Sequence, residues 1–288
     1  MLIENEAHKK IGVVDVGGGL RGVYAAGVLD YCLDNNIEFD VGIGVSAGSA
    51  NLASYAAKQP RRNYAFYTEY ALRKEYMGIG NFITKKSFID LDYVYGTLSN
   101  SDGESPLNYP VLCNNPMEFI TVATEAETGK AKYFDKTYLK QDNYDIFKAS
   151  SAIPYVCKPY IIDNIPYFDG ALSDTIPIEK AFEMGCDKII LLLTLPVTTV
   201  RKPNHDITLA KRIMKKYPNA AERLMHRADR YNEGITLAQK YEFRRKLLII
   251  APNDICGVST LSRKPDALVR LYQKGYADGK QISAFINK

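Results

Sequence analysis

Short apolar runs alternate with longer amphipathic stretches along most of this chain of 288 residues. Apolar runs of about four to eight residues are typical of buried strands, whereas apolar residues spaced three and four apart are typical of helices. Strands are therefore predicted at residues 11–16, 39–43, 117–124, 130–135, 187–195 and 246–251. Helices are predicted at 23–35, 47–57, 61–76, 142–151, 178–185, 206–216, 219–243 and 264–286. This alternation predicts an α/β fold with three layers, α/β/α, around a mainly parallel central sheet.

One serine lies where a predicted strand turns sharply into a helix. The segment Gly44-Val45-Ser46-Ala47-Gly48 follows the mostly apolar run 39–43 and precedes an Ala-rich stretch. A serine in a G-x-S-x-G turn between a strand and a helix is typical of the nucleophile of an ester hydrolase. The pattern is short enough to arise by chance, so its meaning depends on the motifs around it.

A glycine-rich turn, residues 17–22, precedes the serine segment and follows the predicted strand 11–16. It formally matches the G-x-G-x-x-G pattern of dinucleotide-binding proteins. However, the next strand leads to Ser46 and not to an acidic residue that could bind a ribose, and the turn contains a basic Arg21. Free N–H groups at a helix N-terminus favour negative charge, so we interpret the turn as an oxyanion hole, completed by the N–H of Ala47.

The third motif contains the candidate base. Asp169 follows two short apolar runs that predict a β-hairpin, and the Asp-Gly pair by itself is also typical of a turn. The chain contains only three histidines, His8, His205 and His226, and none lies in a stretch typical of a buried catalytic group. A carboxylate is therefore a serious candidate for the base that a serine nucleophile needs.

Together these motifs resemble the patatin-like phospholipase family. The glycine block 17–22, the turn 44–48, the stretch 149–154 and Asp169-Gly170-Ala171 follow one another as in that family, and the resemblance spans roughly residues 11–200. It implies a patatin-like fold, lipid acyl-ester substrates and a Ser–Asp dyad. In that dyad Ser46 is the nucleophile and Asp169 the base, with an oxyanion hole formed by Gly17, Gly18 and Gly19. The other motif positions support these turns: Arg21, Gly22, Gly44, Gly48, Gly170 and Ala171.

A dyad of this kind needs neither a metal nor a cofactor, and we predict none. The sequence contains no H-E-x-x-H motif, no paired cysteines and no calcium-loop pattern. An aspartate with its ordinary pKa of about 3.9 is a weak base at neutral pH. Burial is therefore expected to raise the pKa of Asp169 towards the operating pH.

Two other interpretations stay open. The first is an α/β-hydrolase with a triad of Ser46, Asp169 and either His205 or His226, which matches the chain order of that fold. A nucleophile that follows only two predicted strands argues against it. The second is a non-catalytic lipid-binding protein with the same fold.

Composition fits a single enzyme domain with an extension. Hydrophobic residues form 46% and charged residues 24% of the chain, which are ordinary globular values. We expect a catalytic domain at 9–200 and an extension of helices and a strand at 201–288 packed on it. The five cysteines show no C-x-x-C spacing and are expected to be free thiols in a reducing compartment.

The sequence also carries expectations about location and partners. The first residues are too acidic for a signal peptide, and no apolar run approaches a membrane span in length. We therefore expect a cytoplasmic protein. A net charge of +4 without a recognisable module argues against nucleic-acid binding. The sequence does not indicate an oligomeric state.

Two segments have two interpretations each. Apolar residues interleave with the Lys/Arg cluster at 211–216, which fits either a peripheral contact with an anionic membrane or a solvated helix face. The stretch 76–98 is rich in aromatic and aliphatic residues, which either line an acyl-chain pocket or pack in the core: Phe82, Ile83, Phe88, Ile89, Tyr93 and Tyr95.

Overall fold

The computed structural model describes residues 9–287, which form a central sheet flanked by helices. In the described part of the chain the strands are β1 (Ile11–Asp15), β2 (Val41–Val45), β3 (Glu118–Glu125), β4 (Ala131–Phe134), β5 (Tyr160–Ile162), β6 (Ile165–Asp169), β7 (Lys188–Leu192) and β8 (Leu247–Ile250). Their order is β5-β6-β3-β2-β1-β7-β8, and β4 also pairs with β3. The run β3-β2-β1-β7-β8 is parallel, whereas β4, β5 and β6 are antiparallel to their neighbours. The predicted α/β fold with a mainly parallel sheet is confirmed.

The helices of the described residues are short. They are α1 (Val23–Asp34), α2 (Ala47–Ala56), α3 (Arg62–Thr68), α4 (Ile79–Lys85), α5 (Tyr109–Asn114), α6 (Asp145–Ser150), α7 (Ile178–Glu183), α8 (Asn204–Ile213), α9 (Pro218–Met225), α10 (Arg227–Phe243), α11 (Pro265–Asp278) and α12 (Gln281–Ile286). Three predicted helices, at 61–76, 219–243 and 264–286, are each interrupted. The first breaks at Glu69 and the second at His226, where the backbone leaves the helical region. No helix between residues 9 and 287 is long and apolar enough to cross a membrane.

The central strands are buried on both faces, as expected for a sheet covered by two helical layers. Every residue of β2 and β7 is buried. Successive residues of β1 point to opposite layers: Val13 packs in the core that contains α1, α2 and α11, whereas Val14 packs against α7 and α10. The three-layer arrangement follows from this alternation.

The residues after 200 lie against the same sheet. Strand β8 pairs in parallel with β7, and α11 packs along α1. Two hydrogen bonds hold the helix pair together: the Tyr24 hydroxyl donates to Asp278 at 2.6 Å in a partly buried bond, and the Tyr272 hydroxyl donates to Asp30 at 2.7 Å in a buried one. The division into 9–200 and 201–288 itself stays a prediction.

Candidate active site

Ser46 lies on a strained turn at the carboxyl edge of the parallel sheet. It follows β2 and precedes the first residue of α2, with φ 55° and ψ −129°, a region that costs a non-glycine residue free energy. The Ser46 N–H donates to Ser150 Oγ at 2.8 Å, which helps to hold the turn. Gly44 and Gly48 allow close packing, because a Cβ at these positions would lie 2.4 Å from Ser49 Cα and 2.2 Å from the Asp15 carbonyl oxygen.

Asp169 is buried beside this serine. It ends β6, whose pairing with β3 brings it to the same edge of the sheet. Its carboxylate accepts a hydrogen bond from the Ala171 N–H at 2.8 Å. Burial raises the pKa of Asp169, and the nearby Ser46 side chain, the hydrogen bond from Ala171 and the charges of Arg227 and Arg201 oppose that rise. A larger residue would clash at position 170, since a Cβ on Gly170 would lie 2.2 Å from the Val122 carbonyl oxygen.

The glycine turn reaches the serine turn through backbone alone. The backbone φ angles of the three glycines are positive, at 64° for Gly17, 134° for Gly18 and 60° for Gly19. Residues that carry a side chain rarely adopt such angles. A Cβ at Gly17 would lie 2.2 Å from the Val45 carbonyl oxygen, so the two turns could not approach with a larger residue there.

The predicted oxyanion-hole residues differ in whether their N–H groups are already engaged. The Gly17 N–H donates to Asp15 Oδ1 at 2.9 Å and therefore is not free to bind an oxyanion. Within residues 9–287 the N–H groups of Gly18 and Gly19 have no protein acceptor. The Ala47 N–H belongs to the first turn of α2, where it lacks an intrahelical partner. Gly18, Gly19 and Ala47 are thus the candidate donors.

Asp15 and Asn51 position the glycine turn, a role that the motifs did not indicate. Asp15 is fully buried at the end of β1, and its carboxylate accepts from Gly17 and from Asn51 Nδ2, each at 2.9 Å. Asn51 Nδ2 also donates to the Gly22 carbonyl at 3.0 Å. Burial raises the pKa of Asp15 to about 6. The sequence feature that indicates this role is the carboxyl group of Asp15 at the end of an otherwise apolar strand.

Two threonines distant in sequence complete this support. Thr194 Oγ1 donates to the Gly17 carbonyl at 2.5 Å, and Leu20 donates its N–H to the Thr260 carbonyl at 3.0 Å. Arg21 Nη1 donates to Thr260 Oγ1 at 2.7 Å. The predicted motif residue Arg21 thereby ties the glycine turn to the segment that follows β8.

Two cavities meet at Ser46, and both also contact Gly19. The first, here called the aromatic cavity, has a volume of about 60 Å³ and is lined mainly by aromatic and aliphatic side chains. Ile89 and Tyr95, from the predicted acyl-pocket set, line it, whereas Phe82 and Ile83 are exposed elsewhere. Phe88 and Tyr93 pack against the core.

The second, here called the arginine cavity, has a volume of about 320 Å³. Arg21, Arg201 and Arg227 line it together with Asp169. Ser46 therefore faces a cationic space on one side and an apolar space on the other, and Asp169 faces the cationic space.

The histidines do not complete a triad. His226 is 61% exposed and lies beside Asp229, and His205 is 81% exposed at the arginine cavity. In the described chain, neither ring is a hydrogen-bond partner of Ser46 or Asp169. His8 lies outside the described residues.

Residues 9–287 contain no cluster of three or more His, Cys, Asp or Glu side chains that could hold a metal ion. The five cysteines are free thiols, and three of them are buried.

Comparison with known proteins identifies the family. Residues 16–182, more than half of the chain, match the family described as patatin-like phospholipase. The chain therefore belongs to the patatin-like phospholipase family, which is a family of lipid acyl hydrolases, and the resemblance inferred from the four sequence blocks is confirmed. Residues 217–288 match a second family, described as a domain of unknown function, DUF6363.

The chain is also similar to individual proteins. The chain is 30% identical over 192 residues to the uncharacterized protein YjjU of Escherichia coli K12, in an alignment that covers 65% of this chain and 52% of YjjU. The chain thus spans about half the length of this curated relative. The crystal structure of VipD from Legionella pneumophila aligns over 98% of this chain and 67% of VipD, with 14% identity and a TM-score of 0.48.

Proposed function

We propose that this protein is a serine lipid acyl hydrolase of the phospholipase A, lysophospholipase or carboxylesterase type, with Ser46 as nucleophile and Asp169 as base. The observation that carries the proposal is that these two buried side chains lie close enough for Ser46 to lower the pKa of Asp169, beside a strained turn where two cavities meet. Neither histidine is needed for this arrangement, which favours a dyad over a triad.

In the acylation step, Ser46 Oγ attacks the ester carbonyl while Asp169 accepts the hydroxyl proton. The tetrahedral oxyanion receives hydrogen bonds from the N–H groups of Gly18, Gly19 and Ala47. The ester C–O bond then breaks, and the departing alkoxide takes the proton from Asp169. An acyl-enzyme and a free alcohol result.

In the deacylation step, water attacks the acyl carbonyl and Asp169 takes one of its protons. Collapse of the second tetrahedral intermediate returns that proton to Ser46 and releases the carboxylic acid. One ester and one water thus give one acid and one alcohol, and no metal ion takes part.

The two cavities suggest how an ester is oriented. The aromatic cavity offers apolar contacts to an acyl chain, because its lining includes Phe66, Tyr76 and Leu91. The alcohol half then points into the wider arginine cavity, through which water also reaches the acyl-enzyme.

A fluorophosphonate ester tests the assignment, because it reacts with activated serines and leaves a stable adduct that intact mass detects. We expect one adduct on the native protein, on Ser46, and none on Ser46→Ala. Ser151→Ala is the matched control, since Ser151 lines the aromatic cavity without contacting Asp169, and should label normally. Hydrolysis of a 4-nitrophenyl ester should persist in EDTA. A native protein that is not labelled, or is labelled elsewhere, would overturn the proposal.

We also propose a peripheral contact with anionic membranes through the α4–α8 surface, defined by Ile79, Phe82, Ile83, Tyr155 and Arg212. Ile79 and Ile83 are each 73% exposed on α4. The Phe82 and Tyr155 rings lie 6.4 Å apart, and the Arg212 guanidinium lies 4.1 Å from the Tyr155 ring centre. Exposed apolar groups beside cations suit a lipid surface, where each Lys or Arg contributes about 1 kcal/mol.

Co-sedimentation with vesicles tests this contact. The protein should bind vesicles that contain phosphatidylserine more than neutral ones, and high salt should weaken binding because it screens the charges. Ile83→Ser should reduce binding, whereas the control Phe243→Ser, at a 91% exposed position on α10, should not. Equal binding to neutral and anionic vesicles, or equal effects of both variants, would make this surface an ordinary solvated face. The cytoplasmic location stays a prediction.

A further inference from the structure

We propose that the arginine cavity binds a phosphate monoester carried by the alcohol half of the substrate, so that the preferred substrate is an acyl ester of a phosphorylated alcohol. This inference rests on the proposed function and names the substrate class of the same site. Phosphate is recognised well by arginine, whose planar guanidinium can donate two parallel hydrogen bonds.

The first observation is an excess of positive charge in the cavity. Four permanent cations line it, whereas only two carboxylates do. The cations are Arg21, Arg201, Lys202 and Arg227, and the carboxylates are Asp169 and Asp206. A phosphate monoester carries a charge of about −1.5 to −2 at neutral pH, which balances this excess. A choline head group would bring an additional cation and restore the imbalance.

The second observation is that one carboxylate is already engaged. Asp206 accepts two hydrogen bonds from Arg227, from Nε at 3.0 Å and from Nη2 at 2.6 Å. Among the described residues, Arg21 and Arg201 form no ion pair. Burying an unpaired charge costs free energy. An anionic group of the substrate would therefore be bound favourably by these two guanidinium groups.

Arg201 is held in place for such a contact. Its guanidinium lies 3.8 Å from the Tyr231 ring centre, and stacking leaves the hydrogen-bonding edges of the group available. Its backbone is fixed by Asn232, which accepts from the Arg201 N–H at 2.9 Å and donates to its carbonyl at 3.0 Å. In residues 9–287 the Arg201 guanidinium has no side-chain hydrogen bond.

Arg21 supplies an independent sign of an absent ligand. Its Nε is buried and has no hydrogen-bond partner, although Nη1 reaches Thr260. A buried donor without an acceptor costs about 1–3 kcal/mol and calls for a specific reason. Arg21 Nη2 also has no hydrogen bond among the described residues and is not enclosed by the protein, so it can donate to a phosphate oxygen in the cavity.

The cationic part of the cavity comes largely from outside the catalytic match. Arg201 and Arg227 lie beyond residues 16–182, and Arg227 lies in the region matched to the domain of unknown function. We infer that this region determines which alcohol half the enzyme accepts, while the dyad and the glycine turn perform the chemistry.

The experiment compares kcat/KM for three monomeric substrates with one acyl chain: 1-acylglycerol 3-phosphate, 1-acylglycerophosphocholine and monoacylglycerol. The native protein should prefer the phosphate monoester over the other two. Arg201→Gln should reduce that preference about tenfold to a hundredfold, mainly through KM, because charge-assisted hydrogen bonds contribute to binding. Arg201→Lys should restore only part of it, since lysine cannot form the planar fork. The control Arg270→Gln removes an exposed charge on α11 and should leave the preference unchanged.

A second arm distinguishes a head group from free phosphate. Inorganic phosphate and glycerol 3-phosphate are titrated against the native protein by calorimetry at constant ionic strength. Tighter binding of glycerol 3-phosphate, lost in Arg201→Gln, supports the head-group proposal. Equal binding of the two ligands would mean a free-phosphate site and would overturn it, as would an unchanged substrate preference in Arg201→Gln. Failure of the proposed function is separate, because monoacylglycerol hydrolysis lost in Ser46→Ala measures that alone.

Discussion

The two cavities that meet at Ser46 differ in their chemistry and in their origin along the chain. Every residue that lines the aromatic cavity lies between positions 19 and 153, whereas the arginine cavity also draws on residues 201–261. One cavity is narrow and apolar, and the other is wider and cationic. An ester has two unlike halves, and the comparison suggests that each half is recognised by a different part of the chain around one shared dyad.

The largest effect is expected from removing Ser46, which borders both cavities, or Asp169, which lines the arginine cavity beside it. Ser46→Ala and Asp169→Asn should each lower kcat by roughly four orders of magnitude or more, because nucleophile and base act as a unit. The measurement is steady-state hydrolysis of a 4-nitrophenyl ester. Thermal unfolding should show that both variants fold. Substantial turnover by either purified variant would break the assignment of one site to both cavities.

The glycine turn borders both cavities through Gly19 and gives the next largest effect. Gly18→Ala and Gly19→Ala should each lower kcat by roughly 10²–10³-fold with little change in KM, because the N–H donors act on the transition state. A Cβ would meet Thr194 Oγ1 at 2.4 Å in the first variant and the Thr260 carbonyl oxygen at 2.5 Å in the second.

Gly80→Ala is the matched control for these variants, since a Cβ there has nothing within 4 Å. Its kcat should equal that of the native protein. An effect of Gly18→Ala on KM alone would mean that the turn binds substrate without stabilising the oxyanion.

How much of this site was visible in the sequence depends on the range of each contact. Ser46 and Asp169 were found because sharp turns require small residues next to them, which leaves a short local motif. Thr194 and Thr260 left no such trace, since they contact the glycine turn from 177 and 239 residues away. Arg201 also lies in no recognisable motif, because in the sequence it is one of many cations in a charged segment.

Local patterns also explain the errors. The predicted helix at 61–76 ends at Thr68, because apolar spacing does not report the backbone change at Glu69. At 76–98 the apolar periodicity does not distinguish residues that line a cavity from residues that pack in the core. Of the predicted set, only Ile89 and Tyr95 line the aromatic cavity. The hydrogen bond of the Gly17 N–H was not foreseen, because its acceptor, the Asp15 carboxylate, belongs to the preceding strand.

Filling the aromatic cavity should test whether it binds the acyl chain while the arginine cavity binds the alcohol half. Ala50→Leu adds volume to the aromatic cavity, which Ala50 lines from α2. We expect kcat/KM for long acyl chains to fall about tenfold relative to short ones, since one methylene in an apolar pocket changes selectivity by about 1–3 kcal/mol. Preference among head groups should be unchanged.

The matched control for the filled cavity is Ala284→Leu, at an exposed position on α12 that lines neither cavity. It should leave the chain-length profile as it is. If Ala50→Leu changed head-group preference and spared chain length, the proposed orientation of the ester would be reversed.

The pH profile should link the arginine cavity to the base. Catalysis requires ionised Asp169, so kcat/KM rises with pH through its pKa, which burial raises and Arg227 and Arg201 lower. Arg227→Gln removes a nearby positive charge, which raises the pKa of Asp169. The acidic limb of kcat/KM should therefore move to higher pH with a neutral ester. Arg270→Gln should not move it, and a limb that moved to lower pH in Arg227→Gln would contradict the assignment.

The smallest effect is expected from the histidines, and it separates the dyad from the triad. His205 and His226 are 81% and 61% exposed, and the groups that act on the pKa of Asp169 include Ser46 and Ala171 but neither histidine. The double variant His205→Ala/His226→Ala should thus change kcat/KM for a neutral 4-nitrophenyl ester by less than about threefold, as for other exposed positions without a catalytic contact. A neutral ester is the right substrate, because His205 lies at the arginine cavity and its loss would alter binding of an anion.

A triad requires a loss similar to that of Ser46→Ala, since removing the general base disables the nucleophile. A loss of that size would move the base from Asp169 to a histidine.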